Sequence, residues 1–316
     1  MKPFAFVFPG QGSQSVGMLN GWERHPAVTQ TLEEASDALG EDLGHLIEQG
    51  PKEALAITAN TQPVMLVAGV AAWRVWLAEH GALPAVLAGH SLGEYSALVA
   101  SGVLTLAQAA PLVRFRANAM QEAVPVGTGA MAAILGMDAA SVIAGCAEAQ
   151  ATFGAGSTEV VEAVNFNDPG QTVIAGSKAA VEKACEVLKA NGAKRALPLP
   201  VSAPFHSSLM RPAAEKLKEK LAETRFEAPQ IPVVNNVDVA VESDAQRIRD
   251  ALYRQAFGPV RWVECVGAIK ARGIHTLAEC GPGKVLAGMV KRIDAELTGL
   301  ALFDPASMNE VSAQLA

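Results

Sequence analysis

A Gly-x-Ser-x-Gly turn between an apolar run and a helical pattern is the feature that most constrains this chain. Residues 85–88 are apolar without interruption, which is typical of a buried parallel strand. The turn Gly89-His90-Ser91-Leu92-Gly93 follows, and from Glu94 onward the apolar residues recur at helical spacing. A strand, this tight turn and a helix together indicate a nucleophile elbow, with Ser91 as the nucleophile.

The same elbow predicts where negative charge would be stabilised. The helix after the turn directs free N–H groups and a partial positive charge toward Ser91. The backbone N–H of Leu92 is therefore well placed to bind an oxyanion that forms when Ser91 attacks an acyl group. The alternative interpretation is that the two glycines only permit a strand-to-helix turn, with Ser91 as an N-cap.

Length and composition predict a large aliphatic core, and the cysteine spacing predicts a protein of a reducing compartment. The chain has 316 residues, of which 50% are hydrophobic and 5% aromatic. The first residues lack a signal-peptide pattern, and the apolar run at residues 63–73 is too short to span a bilayer. The 4 cysteines lie far apart without C-x-x-C spacing, so a cytoplasmic protein without membrane partners is expected.

Several ligand classes are disfavoured by the sequence. The 6 histidines show no metal-ligand spacing, and the net charge of -7 disfavours nucleic acid. Ser15 stands where the third glycine of a dinucleotide-binding loop would fall, and Ala278 and Val285 break the phosphate-loop pattern around Gly283-Lys284. We therefore expect no metal and no cofactor. A monomer is also expected.

The order of predicted elements divides the chain into a large and a small domain. In residues 126–200, strands at 131–135, 160–164, 171–175 and 195–199 alternate with helices at 139–149 and 178–191. This βαββαβ order predicts a small ferredoxin-like α+β subdomain. It is inserted into a large α/β-hydrolase-like catalytic domain with a parallel sheet core, formed by residues 1–125 and 201–316.

Three local predictions depend on turn and cap residues. Residues 28–58 predict two helices, with Gly50-Pro51 between them. Thr61 and Pro63 predict the N-cap and first turn of a long helix that ends at Gly81. Residues 165–170 predict a turn between two strands of the small subdomain.

His206 is the best candidate for the base that activates Ser91. It follows a short apolar segment on a loop, whereas His90 adjoins Ser91 and its ring is expected to point away from the hydroxyl. An activated serine needs a base within hydrogen-bond reach, and that base needs an orienting group. No acidic residue between Ser91 and His206 stands out as an orienter. A Ser-His dyad held by a backbone carbonyl is therefore favoured over a triad, with a solvated or capping His206 as the alternative.

Several segments occur in an order that is typical of one enzyme family. They are Phe8-Pro9-Gly10-Gln11-Gly12-Ser13-Gln14, Gly89-His90-Ser91-Leu92-Gly93-Glu94-Tyr95, Arg116 before Met120-Gln121-Glu122, Asn165-Phe166-Asn167-Asp168-Pro169-Gly170-Gln171, Phe205-His206 and Glu279-Cys280-Gly281-Pro282-Gly283-Lys284. The chain resembles the malonyl-CoA:acyl carrier protein transacylases of bacterial type II fatty acid synthesis. The resemblance covers nearly the whole length, including the insert.

The resemblance implies a two-step transfer of a malonyl group. Ser91 would attack the thioester of malonyl-CoA with His206 as base. The phosphopantetheine thiol of acyl carrier protein would then take the malonyl group from the serine. It also implies that Gln11 joins Leu92 in the oxyanion hole.

Two further roles come from the resemblance. An arginine at the position of Arg116 pairs with the malonyl carboxylate, and a glutamine at the position of Gln255 lends its backbone carbonyl to the histidine. Both fit the chemistry, because a free substrate carboxylate needs a cation and a dyad needs no acid. Taken alone, Arg116 would be interpreted as a surface helix residue, which is the interpretation kept for its neighbour Arg114.

Two departures leave alternatives open. Some members of the family carry Ser where Phe205 precedes the histidine, and a Phe there also occurs in malonyl-selecting domains of polyketide synthases, so a trans-acting polyketide role is one alternative. An acidic chain that binds acidic carrier protein also requires a local basic patch. Two candidate patches are Lys189, Lys194 and Arg195, or Lys284, Lys291 and Arg292.

Two other function classes compete with the transferase. A serine esterase of the α/β-hydrolase type shares Gly-x-Ser-x-Gly but expects an acid before a C-terminal histidine, and it gives Arg116 no role. A binding module without catalytic activity would leave Ser91 inert. The reaction with malonyl-CoA separates the three classes.

Overall fold

A computed structural model describes residues 2–22, 25–154, 156–201 and 203–316. The strands of the described chain are β1 (Phe4–Phe8), β2 (Val86–Gly89), β3 (Gly129–Leu135), β4 (Val161–Asp168), β5 (Gln171–Ser177), β6 (Arg195–Pro198), β7 (Val233–Val234), β8 (Thr276–Cys280) and β9 (Thr298–Leu302). Its α-helices are α1 (Pro26–Leu39), α2 (Leu43–Gln49), α3 (Lys52–Ala56), α4 (Thr58–Glu79), α5 (Gly93–Ala100), α6 (Leu106–Glu122), α7 (Ala139–Ala151), α8 (Lys178–Ala190), α9 (Arg211–Glu223), α10 (Ala245–Phe257), α11 (Trp262–Lys270), α12 (Val285–Ile293) and α13 (Pro305–Leu315).

The larger sheet is parallel and has the strand order β7-β2-β1-β8-β9. All five residues of β1 are buried. Phe4, Phe6 and Phe8 pack into one apolar cluster, and Ala5 and Val7 pack into a second cluster on the other face. Alternate side chains of a strand point to opposite faces, so a strand covered on both faces is apolar throughout.

The smaller sheet is antiparallel and lies within residues 129–198. Its strand order is β4-β5-β3-β6, with α7 and α8 packed on one face. The other face contributes Met131 and Val173 to a cluster that includes Met120 and Phe205 of the larger unit. The predicted fold class, a parallel α/β sheet with a separate ferredoxin-like subdomain, is confirmed. The division at residues 125/126 and 200/201 stays a prediction.

Local predictions based on turn residues were less accurate. Residues 26–56 form three helices rather than two. Helix α4 begins at Thr58, so Pro63 lies inside it, and the Thr61 hydroxyl donates to the carbonyls of Leu55 and Ile57 instead of capping. In the described ranges no helix combines the length and apolar character needed to cross a membrane.

The predicted turn at residues 165–170 is wrong at its start, because β4 continues to Asp168. The strand is extended by pairing with a segment distant in sequence. The Phe166 N–H donates to the Val260 carbonyl at 3.0 Å, and the Val260 N–H donates to the Val164 carbonyl at 2.8 Å. A long-range pairing of this kind overrides the local preference of Asn, Asp, Pro and Gly for turns.

The elbow depends on glycine, which leads to a first prediction. A Cβ on Gly89 would lie 1.9 Å from the carbonyl carbon of Gly93, a backbone atom that cannot move aside as a flexible side chain could. We expect Gly89→Ala to lower the free energy of unfolding by more than about 3 kcal/mol, because the strand and helix would have to separate. The measurement is urea unfolding followed by circular dichroism.

Gly267 provides the matched control for this substitution. It lies within α11, and a Cβ there would meet no atom within 4 Å. Gly267→Ala should stabilise the chain by about 0.5–1 kcal/mol, because alanine loses less backbone entropy in a helix. A Gly89→Ala variant as stable as the native chain would show that the close approach of strand and helix is not required.

Candidate active site

Ser91 lies at the sharp turn between β2 and α5, in a strained backbone conformation. Its φ is 51°, in the left-handed region that costs a non-glycine residue roughly 1–2 kcal/mol. The elbow packs closely against the end of β1, because a Cβ on Gly93 would lie 2.1 Å from the Phe8 carbonyl oxygen. The His90 N–H donates to that same carbonyl at 3.0 Å. The end of β1 therefore fixes the elbow from one side.

His206 lies against the serine, on a loop 115 residues further along the chain. Its Nε2 is 2.7 Å from Ser91 Oγ, and its Nδ1 is 2.9 Å from the backbone carbonyl oxygen of Gln255. A carbonyl can only accept, so Nδ1 carries the proton and Nε2 is left to accept from the serine hydroxyl. The structure thus brings together the three groups that the sequence analysis proposed as nucleophile, base and orienting carbonyl.

The environment of His206 keeps its ring neutral. Its side chain is buried, and burial together with the nearby Arg116 charge lowers its pKa to about 3, against the raising effect of the hydrogen bond to the Gln255 carbonyl. A base must be unprotonated to accept the serine proton. The imidazole is therefore ready to act as a base at any pH near neutrality.

Arg116 lies beside Ser91 in the interior rather than on the surface that its helix position alone suggested. Only 1% of the residue is exposed. Its guanidinium donates to the side-chain oxygens of Gln62 at 2.7 Å and Gln255 at 3.0 Å, and to Ser91 Oγ at 3.3 Å. Burial lowers its pKa, although Tyr95 and the charge of Glu94 oppose that shift.

Arg114, two residues earlier on α6, faces a different environment. Its guanidinium donates to the Asn60 side-chain oxygen at 3.1 Å and forms an ion pair with Glu41. It lies half-buried and away from the serine. Substitution of Arg116 therefore tests the site, and the same substitution of Arg114 is its matched control.

Two backbone N–H groups are available near the serine. Gln11 and Leu92 both line a cavity of about 120 Å³ that contains Ser91 and His206. Neither backbone N–H has an acceptor among the groups that the structure describes. Free donors beside a nucleophile are what an oxyanion hole requires. The apolar wall of the cavity is formed by Met120, Met131, Leu199, Val201 and Phe205.

Asn236 is a site residue that the sequence analysis missed. Its side-chain oxygen accepts from the Ser91 N–H at 2.7 Å, and its side-chain nitrogen donates to the Gly89 carbonyl at 2.7 Å. Its own N–H donates to Glu94 Oε2 at 2.9 Å. Asn236 follows β7, the neighbour of β2, so this amide fastens the elbow from the side opposite β1. A single asparagine 145 residues from the serine carries no sequence signal.

Glu94 and the side chain of Gln255 form a second missed group. Gln255 Nε2 donates to Glu94 Oε2 at 2.9 Å and to the Ser91 carbonyl at 3.0 Å, while its Oε1 accepts from Arg116. Burial raises the pKa of Glu94 to about 7, partly offset by the hydrogen bonds from Gln255 and Asn236. The signal that could have found Glu94 is its place in the first turn of the elbow helix.

His90 points away from the serine hydroxyl and toward the small subdomain. Its Nε2 lies 2.8 Å from Oδ1 of Asn167, a buried residue of β4. Burial lowers the pKa of His90. The residue next to the nucleophile therefore links the elbow to the smaller sheet.

Comparisons with known proteins show the family to which the chain is similar. The family model of the acyl transferase domain matches residues 5–297. The malonyl CoA-acyl carrier protein transacylase of Salmonella typhimurium is 56% identical over 99% of this chain and 100% of its own length. The crystal structure of an acyl-carrier-protein S-malonyltransferase from Burkholderia pseudomallei is 62% identical, with a TM-score of 0.95 over 98% of this chain and 99% of that one.

A third relative is a malonyl-transacylase in complex with a type II polyketide synthase acyl-carrier protein. It is 52% identical and has a TM-score of 0.95, covering 99% of this chain and 100% of that one. All three similarities extend over the inserted small subdomain as well as the large sheet.

The neutral state of His206 can be tested directly. Because burial and Arg116 lower its pKa to about 3, the folded protein should keep this imidazole neutral at pH 5, where an unperturbed histidine with a pKa of about 6.5 is largely protonated. The measurement is an NMR titration of ring nitrogens, with the His206→Gln variant used for assignment. The denatured chain should show the ordinary titration. Protonation of His206 in the folded protein with a midpoint near pH 6 would contradict the prediction.

Proposed function

The chain belongs to the malonyl CoA-acyl carrier protein transacylase family and is an acyltransferase of fatty acid biosynthesis, and we propose that Ser91 carries the malonyl group between its two substrates. The observation that supports this assignment best is a buried arginine beside an activated serine. Arg116 lies 3.3 Å from Ser91 Oγ and is 1% exposed. An esterase of simple acyl groups has no use for a buried cation at this place.

The first half of the reaction forms malonyl-Ser91. Ser91 Oγ attacks the thioester carbonyl carbon of malonyl-CoA as its proton passes to His206 Nε2. The resulting oxyanion is held by the N–H groups of Gln11 and Leu92. The tetrahedral intermediate then expels the CoA sulfur, which takes the proton from His206. The Gln255 carbonyl holds the imidazole throughout and stabilises its transient positive charge.

The second half reverses these roles with a different thiol. The phosphopantetheine thiol of acyl carrier protein gives its proton to His206 Nε2, and its sulfur attacks the malonyl-Ser91 ester. The same N–H groups hold the second oxyanion. Ser91 Oγ leaves with the proton from His206, and the product is malonyl-acyl carrier protein. A neutral base is needed in both halves, which agrees with the low pKa of His206.

Arg116 is proposed to hold the malonyl carboxylate in both halves. A buried carboxylate is costly unless it is paired, and a guanidinium can offer two parallel hydrogen bonds. The acceptors of Arg116 in this structure are uncharged side chains, the amides of Gln62 and Gln255 and the Ser91 hydroxyl. A substrate carboxylate would therefore be the stronger partner and could displace one of them.

We also propose the partners and the location of this protein. We propose malonyl-CoA and acyl carrier protein as substrates, supported by the names of the relatives and by the relative in complex with a polyketide carrier protein. Of the two candidate basic patches, we favour the one formed by Lys189, Lys194 and Arg195. Lys189 borders a groove whose lining also includes three residues of the catalytic cavity, namely Met131, Leu199 and Val201. Arg292 of the other patch is already paired with Asp168. Cytoplasmic location and a monomeric state remain proposals.

Mass spectrometry tests the assignment of Ser91. After incubation with malonyl-CoA, the protein should gain one malonyl group that maps to Ser91, and acyl carrier protein should remove it. Ser91→Ala should fold and gain none. His206→Ala should slow adduct formation by roughly 100-fold or more, as expected for the loss of a general base. Free malonate without transfer would indicate a hydrolase, and an adduct on Ser91→Ala at another residue would refute the nucleophile.

Substrate selectivity tests the assignment of Arg116. Malonyl differs from acetyl by a carboxylate, and each charge-assisted hydrogen bond is worth about 1.5–3 kcal/mol, so Arg116→Ala should lower the malonyl-to-acetyl ratio of kcat/KM by about tenfold to several hundredfold. Arg114→Ala should leave that ratio unchanged, since this arginine pairs with Glu41. Equal losses for both thioesters in Arg116→Ala would mean that the arginine has only a structural role.

A further inference from the structure

The charge of Arg116 is buried without an ionised partner in direct contact. Its hydrogen bonds go to Gln62, Gln255 and Ser91, all of which are neutral. Within the described ranges no carboxylate forms an ion pair with it. A guanidinium that is 1% exposed still requires negative charge nearby, because an uncompensated buried charge is strongly destabilising.

Glu94 is the carboxylate that supplies this charge. Its negative charge opposes the effect of burial on the pKa of Arg116. The ring of Tyr95 also lies near the guanidinium, at 5.5 Å, but its hydroxyl carries no charge near neutral pH because burial raises its pKa to about 12. The amide of Gln255 lies between the two charges, with Oε1 toward Arg116 and Nε2 toward Glu94 at 2.9 Å. Since a guanidinium only donates and a carboxylate only accepts, the two charges fix the orientation of this amide.

We propose that Glu94 is a positioning residue whose charge balances Arg116 in the empty site and limits how tightly Arg116 holds a malonyl carboxylate. The inference rests on the proposed role of Arg116 and deepens it. When malonyl enters, Arg116 faces two anions, and each weakens its hold on the other. Moderate binding of the malonyl carboxylate by Arg116 suits an enzyme of this kind, because the malonyl group must leave Ser91 for a second thiol.

The same carboxylate also maintains the geometry of the dyad. Glu94 Oε2 accepts from the N–H of Asn236, whose side chain binds the Ser91 N–H. It also accepts from the side chain of Gln255, whose carbonyl binds His206. Removal of the whole side chain would therefore disturb nucleophile and base together. A test of the charge must keep the shape, which glutamine does.

The decisive variant is Glu94→Gln, assayed at about pH 8, where the native carboxylate with its pKa of about 7 is ionised. Without the second anion, Arg116 should bind malonyl more tightly, so we expect the malonyl-to-acetyl ratio of kcat/KM to rise roughly tenfold. The change should lie in KM for malonyl-CoA, while any displacement of Gln255 should lower kcat for both thioesters alike. A purely structural role for Glu94 would leave the ratio unchanged.

A second measurement does not depend on turnover. Malonylation of Ser91 should raise the Tm of Glu94→Gln by more than it raises the Tm of the native protein, because the malonyl carboxylate replaces the missing charge. Glu279→Gln is the matched control. Glu279 is a second fully buried carboxylate with a pKa raised to about 7, but it accepts from the Ala287 N–H and does not line the catalytic cavity. Its substitution should change neither the ratio nor the Tm difference.

The possible outcomes separate the two proposals. If the native protein forms no malonyl-Ser91, the proposed function fails. If the native protein forms it but Glu94→Gln shows the native Tm difference, or an unchanged or lower malonyl-to-acetyl ratio, only the Glu94 inference fails. Should Glu94→Gln not fold, the pH dependence of the native protein decides. Because burial raises the pKa of Glu94 to about 7, the malonyl-to-acetyl ratio of kcat/KM should rise as the pH falls from about 8 to about 6 and the carboxylate loses its charge, and the ratio cancels effects common to both thioesters. A ratio that stays constant over this range would overturn the inference.

Discussion

The burial of a permanent positive charge beside the nucleophile is the constraint on which the rest of the site depends. Arg116 stays protonated and is 1% exposed, so the groups around it have to tolerate a cation. Its direct acceptors in the described chain are uncharged, so the guanidinium forms no charge-assisted pair with a carboxylate in contact with it. The carboxylate that balances this charge is Glu94, which lies on the other side of the Gln255 amide. It acts on the guanidinium through the low-dielectric interior and does not contact it.

The same charge explains why the base is held by a carbonyl rather than by an acid. A carboxylate bound to His206 Nδ1 would lie close to Arg116 and would compete with the substrate for it. The Gln255 carbonyl fixes the tautomer and the direction of the ring without adding charge. The Arg116 field then lowers the pKa of His206 and keeps the imidazole neutral. The Ser91–His206 dyad thus avoids a second carboxylate beside the buried cation of the cavity.

Local patterns in the sequence predicted the elbow, the parallel sheet and the ferredoxin-like subdomain, because the individual strands, helices and turns are marked by residues that are close along the chain, although the strands of the parallel sheet pair over long distances in sequence. The predictions for Thr61 and for residues 165–170 failed where packing overrode the preferences of cap and turn residues. Gln255 and Arg116 were identified through the resemblance and not through any local pattern. Asn236 was missed, because its contact with Ser91 joins residues 145 positions apart and an isolated asparagine gives no signal.

The small subdomain has its own sheet, but its residues also help to build the candidate active site. Strand β4 places Asn167 on His90, the residue before the nucleophile, and pairs through Phe166 with Val260, five residues after Gln255. One edge of the smaller sheet thus contacts both the elbow and the segment that orients the base. Its inner face also closes the cavity, because Met131 packs in the same cluster as Phe205. The small subdomain therefore contributes contacts to the elbow, to the segment after Gln255 and to the cavity wall, which accounts for similarity to the relatives over the whole chain, insert included.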